Sequence, residues 1–225
     1  MREIFSCAKI SGMAMIRNYS KELDKLMETL ERSGERPSLL LHACCAPCSS
    51  AVLEQLTERF DVSVFFYNPN ISPKSEFDKR EEELERLIRE MPAARDAKMI
   101  RAEYEPSEFY TAVKGLEDIP EGGERCFVCY RLRLEAAAKY AAEHGFDYFT
   151  STLSISPLKN AAKLNEIGEE LAEKYHVPHL PSDFKKKDGY KRSIQLSRDY
   201  DLYRQDFCGC VFSKKEREMK DVSHT

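Results

Sequence analysis

Leu39 to Ser50, LLLHACCAPCSS, is the stretch whose reading decides the fold. Leu39, Leu40, Leu41 and Ala43 make an apolar run of the length of a buried strand, and Pro47 sits where a helix can begin. Cys44, Cys45 and Cys48 therefore fall on a strand-to-helix turn. In an open α/β sheet such a turn lies at the carboxyl edge, where ligands bind, and the free N–H groups of the helix favour thiolate over thiol. Two adjacent cysteines cannot easily serve one small site together, so Cys44 and Cys45 are expected to reach two sites, one on either side.

Working outward, Pro47 to Arg59 reads as a helix and Asp61 to Tyr67 (DVSVFFY) as a second buried strand, which makes a right-handed βαβ unit. Asn68-Pro69-Asn70 then turns the chain at the same edge, either as a plain turn or as a loop that lines a pocket. Glu76 to Met91 is an amphipathic helix with Phe77, Leu84, Leu87 and Ile88 inward and Lys79, Arg80, Arg86 and Arg89 on a solvated face. A third strand is expected at Ala97 to Ala102, a short helix at Pro106 to Val113 and an acidic loop from Glu117 to Glu124. Cys126-x-x-Cys129 opens a long helix that Gly145 ends, with both sulfurs on one side, aimed at one metal centre. Asp147 to Leu153 is a fourth strand with STLSISP as its exit loop, Leu158 to Tyr175 a helix, and Val177 to Leu180 a short fifth strand. The fold class is α/β, a parallel sheet flanked by helices with a cysteine-rich metal site at its carboxyl edge.

The flanks divide the chain into residues 1–36, an N-terminal extension and helix; 37–213, one catalytic domain that includes the cysteine-containing C-terminal segment; and 214–225, a charged, frayed tail. Tyr19 to Ser33 has helical spacing and stops at Gly34, whereas residues 1–12 show little pattern and read as a peripheral extension, with Met13 and Met15 both plausible starts for the helix that follows. DFKKKDGYKRS is the one concentrated basic segment, either a solubilising loop or a phosphate-contacting one.

With 35 basic against 39 acidic residues in 225, the net charge of −4 gives no global field for nucleic acid, so any such binding must come from a local basic patch. No apolar run approaches the ~20 residues of a membrane span, and MREIFSCAKISG lacks the apolar core of a signal peptide. A cytoplasmic protein with no membrane partner is expected. Disulfides are disfavoured there, so eight cysteines need another explanation.

Cys7 stands alone and can be a buried structural thiol. Cys44/Cys45/Cys48, Cys126/Cys129 and Cys208/Cys210 are too tightly grouped for that, and Gly209 allows the last pair to converge. A disulfide relay is possible for Cys44, Cys45 and Cys48. A structural zinc site uses four ligands and leaves three unexplained. A four-iron cluster also takes four thiolates, and the surplus suggests a second metal beside it. Seven cysteines fall one short of two four-ligand sites, which leaves Asp206 as a candidate ligand or an open position for substrate. His42 reads as a packed, hydrogen-bonded residue, and no G-x-x-x-x-G-K-[ST] or G-x-G-x-x-G phosphate loop occurs.

HACCAPCSS, YNPNISP, RCFVCYRLRLE, TSTLSISPLKN and YRQDFCGCVFS, five motifs in this order from about Pro37 to Ser213, resemble the epoxyqueuosine reductase QueH family. The resemblance implies a HUP-like fold, similar to the PP-loop ATP pyrophosphatases, but with Cys44-Cys45-Ala46-Pro47-Cys48 in place of the Gly/Ser-rich phosphate loop and hence no ATP. It implies removal of the epoxide oxygen from epoxyqueuosine at the wobble position of tRNA, without cobalamin, by a 4Fe-4S cluster and a second, mononuclear metal, iron, fed by an external electron donor such as a ferredoxin. Cys44, Cys45 and Cys48 are then the catalytic trio. Cys126 and Cys129 with one or two of the trio would hold the cluster, and Cys208, Cys210 and the remaining sulfurs the second metal. Asn68, Asn70, Tyr130, Arg131 and Ser156 are candidates to bind substrate, and Lys185, Lys186, Lys187 and Arg192 to contact tRNA. A cluster-dependent tRNA thiolase of the same fold and a zinc-stabilised RNA-binding module are the alternatives.

Overall fold

In a computed structural model, which describes residues 17–222, four parallel strands are flanked by helices on both faces. The strands are β1 (Ser38–His42), β2 (Asp61–Phe66), β3 (Lys98–Arg101) and β4 (Tyr148–Ser151), in the order β3-β2-β1-β4. All three pairings are parallel, with Leu41 opposite Val64 and Thr150. The chain steps outward from β1 to β3 and then returns to the other side of β1. The switch point between β1 and β4 is where an open α/β sheet has its ligand crevice, and the cysteine turn follows β1 directly.

Leu39, Leu40 and Leu41 are all fully buried because both faces of β1 are covered. Leu39 and Leu41 pack on one side with α1 (Tyr19–Ser33), α2 (Ala46–Leu56) and α3 (Lys74–Glu90). Leu40 packs on the other with α5 (Glu124–His144) and α6 (Ala161–Tyr175). Between β3 and α5 runs the short α4 (Pro106–Ala112). The Asn18 side chain caps α1 by accepting from the Lys21 N–H, and Gly34 ends it at φ 72°, as the sequence predicts.

The C-terminal third departs from expectation. Val177–Leu180 forms no strand; it contributes one bridge, Phe149 to His179, with Pro178 and Leu180 bonded to either side of Phe149. Pro178 has no N–H to give a ladder, and Pro181 stops it again. α6 begins at Ala161, capped by Asn160, so Leu158 and Lys159 belong to the loop before it. The basic segment is half helix: α7 (Gly189–Asp199) takes in Tyr190, Lys191 and Arg192. Gly189 starts it because a Cβ there would lie 1.9 Å from the Phe184 carbonyl oxygen.

Residues 214–222, expected to fray, belong to α8 (Val211–Val222). Glu216 on α8 accepts from the buried Arg125 guanidinium at 2.9 Å and from the Glu121 backbone N–H. That long-range pair holds a segment whose charge alone reads as tail. On α3, Arg80 is 1% exposed rather than part of a solvated face. Cys7, Met13 and Met15 lie outside the described residues. Among the described residues, no helix is long and apolar enough to cross a membrane.

Candidate metal centre

The first trio converges. Cys45 is the residue before α2, extended at φ −172° and ψ 161°, with Pro47 in the first turn; this brings Cys48 back beside its neighbours. The Cys44 and Cys45 Sγ atoms are 3.8 Å apart, and all three sulfurs lie within 4.8 Å of one another. The expectation that the adjacent pair reaches two separate sites is therefore corrected: both turn to one. Hydrogen bonds from the Cys44 and Cys48 thiols, helped by the Arg80 charge, hold Cys45 well below the ordinary thiol range; the same contacts push Cys48 and Cys44 up. The Gln205 amide donates to Cys45 Sγ at 2.8 Å.

The other four cysteines form a second group. Cys126 and Cys129 on the first turns of α5, with Cys208 and Cys210 from the loop before α8, line one cavity of about 10 Å³. Gly209 permits the approach: its φ is 115°, and a Cβ there would meet Arg80 Nη1 at 2.9 Å and Ile71 Cγ1 at 3.0 Å. Burial pushes the Cys129 thiol up, and burial with the neighbouring Cys208 pushes Cys210 up to about 12.

Cations without a role in the sequence reading surround the sulfurs. The Lys159 ammonium, buried, lies 2.9 Å from Cys208 Sγ and 3.4 Å from Glu121 Oε1. Burial opposes its charge, but the charges of Cys208, Tyr130 and Glu121 outweigh that and hold it well above the usual lysine range. Glu121 accepts in turn from the Ser213 hydroxyl, and Ser213 Oγ accepts the Cys208 N–H, so a closed ring of hydrogen bonds fixes Cys208. Arg133 is 1% exposed; its Nε donates to the Cys129 carbonyl at 3.3 Å. Arg80 donates to the Cys208 carbonyl at 3.1 Å and pairs with Glu76 at 2.7 Å.

Beside both groups opens a cleft of about 380 Å³. Cys44, Cys48 and Cys208 face it, and Cys208, Glu121, Arg133 and Lys159 line both the cleft and the small cavity. Ser156 is on the cleft wall; Asn70 and Tyr130 face the small cavity instead. Asn68 is buried and donates to the Ala43 carbonyl, which ties its loop to the cysteine turn. Asp206 lies on the cleft wall, exposed and 3.7 Å from Arg217, outside the sulfur groups. Arg131 points away from the site and pairs with Glu170 at the surface. Lys185 pairs with Asp183, Lys187 with Asp24 and Arg192 with Glu54, while Lys186 is exposed. His42 is packed as expected, bonded to Ser151 at 2.8 Å and the Tyr67 carbonyl at 3.0 Å.

A sequence model of the family described as epoxyqueuosine reductase QueH matches residues 39–216, from the first strand into α8. The chain belongs to the epoxyqueuosine reductase QueH family. It is 49% identical to the epoxyqueuosine reductase QueH of Staphylococcus epidermidis over 92% of this chain and 89% of that protein. It is 44% identical to that of Streptococcus pyogenes serotype M1 over 88% of this chain and 78% of that one, and 38% identical to that of Thermotoga maritima over 81% and 93%. For a QueH family member, the residues that sequence reasoning passed over are those that carry charge into the site. Arg133 is four residues from Cys129 and so shares its helix face, a signal present in RCFVCYRLRLE; Arg131 is out of phase with it.

Proposed function

We propose that this chain reduces epoxyqueuosine to queuosine at the wobble position of tRNA, using a 4Fe-4S cluster and a second, mononuclear iron, without cobalamin and without ATP. The observation that carries the reading is the convergence of seven thiols into two adjoining groups that open on one cleft through Cys44, Cys48 and Cys208. One zinc needs four of them. The donor set fits a thiolate-ligated group of net negative charge, because the buried Lys159 lies against the Cys208 sulfur and the buried guanidiniums of Arg133 and Arg80 bond the backbone carbonyls of Cys129 and Cys208. The grouping supports a different division of ligands from that first expected: Cys126, Cys129, Cys208 and Cys210 would hold the cluster, and Cys44, Cys45 and Cys48 the second metal, with a position left open for substrate.

Opening an epoxide to an alkene consumes two electrons and two protons and releases water. The bound metals would supply electrons singly, drawn from an external donor such as a ferredoxin, and Lewis acidity toward the epoxide oxygen. The protein's own part is electrostatic. Arg133 and Lys159, on the wall shared by cleft and cavity, favour negative charge developing on an oxygen drawn into the cleft, and burial strengthens that effect. The cleft volume suits one unstacked nucleotide, which a wobble base becomes only when it leaves the anticodon stack. Leu158 and Tyr190 at its wall offer apolar surface for the base. Lys185, Lys187 and Arg192 would exchange their half-buried carboxylate partners for tRNA phosphates, and the exposed Lys186 would add a contact.

Iron, sulfide and zinc per chain, measured with the visible spectrum after anaerobic purification, test the cofactors. More than four irons with about four sulfides, and turnover of epoxyqueuosine-containing tRNA without cobalamin, are expected. Zinc alone, with no sulfide after reconstitution, would refute the redox mechanism and favour an RNA-binding module.

A further inference from the structure

Three donors with no partner face the cavity of Cys126, Cys129, Cys208 and Cys210. Asn70 is 1% exposed, and neither its Oδ1 nor its Nδ2 is hydrogen-bonded; Tyr130 is 1% exposed with an unpaired hydroxyl; Arg133 has an unpaired Nη2. Unpaired buried polar atoms are uncommon and each calls for an explanation. Looseness does not supply one. The loop that carries Asn70 is tied by Ile71 N–H to the Asn68 carbonyl, by the Tyr104 hydroxyl to the Ile71 carbonyl, and by Ser72 N–H to the Gly209 carbonyl between Cys208 and Cys210. Tyr130 is held in the interior of α5, one residue after Cys129. Neither Asn70 nor Tyr130 lines the 380 Å³ cleft, so substrate seated there does not account for them.

We propose that Asn70 Nδ2 and Tyr130 Oη donate hydrogen bonds to the sulfurs of the group held by these four cysteines and thereby raise its reduction potential. The inference rests on the cofactor reading above. It moves both residues from substrate binding, where their motifs had suggested them, to control of the electron. The physical ground is that hydrogen bonds to the sulfurs stabilise the more negative, reduced state over the oxidised one, and more so in a dry site than in water. Both residues are neutral, so they tune the centre without adding to the charge that Arg133 and Lys159 already place there. They act as positioning residues, through the sulfurs rather than on substrate.

The test compares the wild type with Tyr130→Phe, which removes a single buried oxygen, and Asn70→Leu, which removes both amide atoms at similar volume. Iron and sulfide are counted first, and the midpoint potential is then read by EPR during titration with dithionite and mediators. Each variant is expected to keep its iron and sulfide and to show a reduction equilibrium constant lower by about tenfold, which is ~59 mV toward negative potential for a one-electron couple. The KM for epoxyqueuosine-containing tRNA should not change. In the reduced wild type, a proton coupling that disappears in D2O should be present and should weaken in Tyr130→Phe. Unmoved potentials at full occupancy overturn the inference alone, as does a raised KM with an unmoved potential. A wild-type protein that takes up no iron and sulfide overturns the cofactor reading and this inference with it.

Discussion

Replacing Arg80 with Met should destabilise the protein. The side chain is 1% exposed and its guanidinium donates three hydrogen bonds: to Glu76 Oε1 at 2.7 Å, the Cys208 carbonyl at 3.1 Å and the Phe207 carbonyl at 3.4 Å. Met fills most of the same space but leaves Glu76, 12% exposed, without its cation and the carbonyls without a donor. Breaking a buried pair by removing one partner costs about 3–5 kcal/mol. Glu76 keeps the Tyr203 hydroxyl at 3.0 Å, which places the expected loss near the lower end, about 3 kcal/mol. For a chain of this size that is a fall in Tm of about 6–12 °C. Urea denaturation followed by far-UV circular dichroism measures it, with wild type and variant purified alike. The double variant Glu76→Leu/Arg80→Met should recover part of the loss, because the stranded carboxylate is then gone. A single variant within about 0.5 kcal/mol of wild type, or a double variant no better than the single, would refute the idea that Arg80 binds the Cys208 loop to α3.

Three further outcomes follow from packing and charge. Gly168→Ala, which on helix propensity alone should gain about 1 kcal/mol, should instead lower Tm, because the new Cβ would lie 2.5 Å from the His179 ring atoms; an unchanged or raised Tm in a thermal melt would contradict that contact. Burial lowers His179 to about 3, with Nδ1 unpaired, so the unfolded chain takes up the proton first as pH falls. Stability from this residue is intact above about pH 6.5 and is lost between there and about 3. His179→Leu should therefore lose about 2 kcal/mol less than wild type between pH 7 and pH 5 in urea melts, and equal losses would count against a neutral buried imidazole. Changing Lys185, Lys186, Lys187 and Arg192 together to Ala should weaken tRNA binding and flatten its dependence on salt by about 0.7–0.9 per lost phosphate contact. Iron content should stay the same, and an unchanged affinity would remove the patch from the interface.

The first strand, its cysteine turn and the parallel sheet were legible because the signals are local: an apolar run, a proline at a helix start, two βαβ repeats in sequence. The cysteine grouping was half legible. Counting separated Cys44/Cys45/Cys48 from Cys126/Cys129 and Cys208/Cys210, but spacing could not say that the last two pairs share a cavity; that depends on the Cys208 loop reaching Arg80 across 128 residues. The same distance effect hid α8, whose charges look solvated until Arg125 meets Glu216.

What could have been read more closely is helix phase. Arg80 lies three residues after Phe77 and four before Leu84, inside the apolar stripe of α3, and Arg133 lies four after Cys129 on the buried face of α5. A charge in phase with a buried stripe is either destabilising or met by an opposite charge from elsewhere. Arg80 is met by Glu76 at 2.7 Å, and the buried Lys159 by Glu121 and the Cys208 sulfur, so the cations beside the cysteines are held by contacts from distant parts of the chain. The centre is therefore electrostatic before it is geometric. Replacing one of these cations should disturb the cysteines as much as replacing a cysteine disturbs the cations.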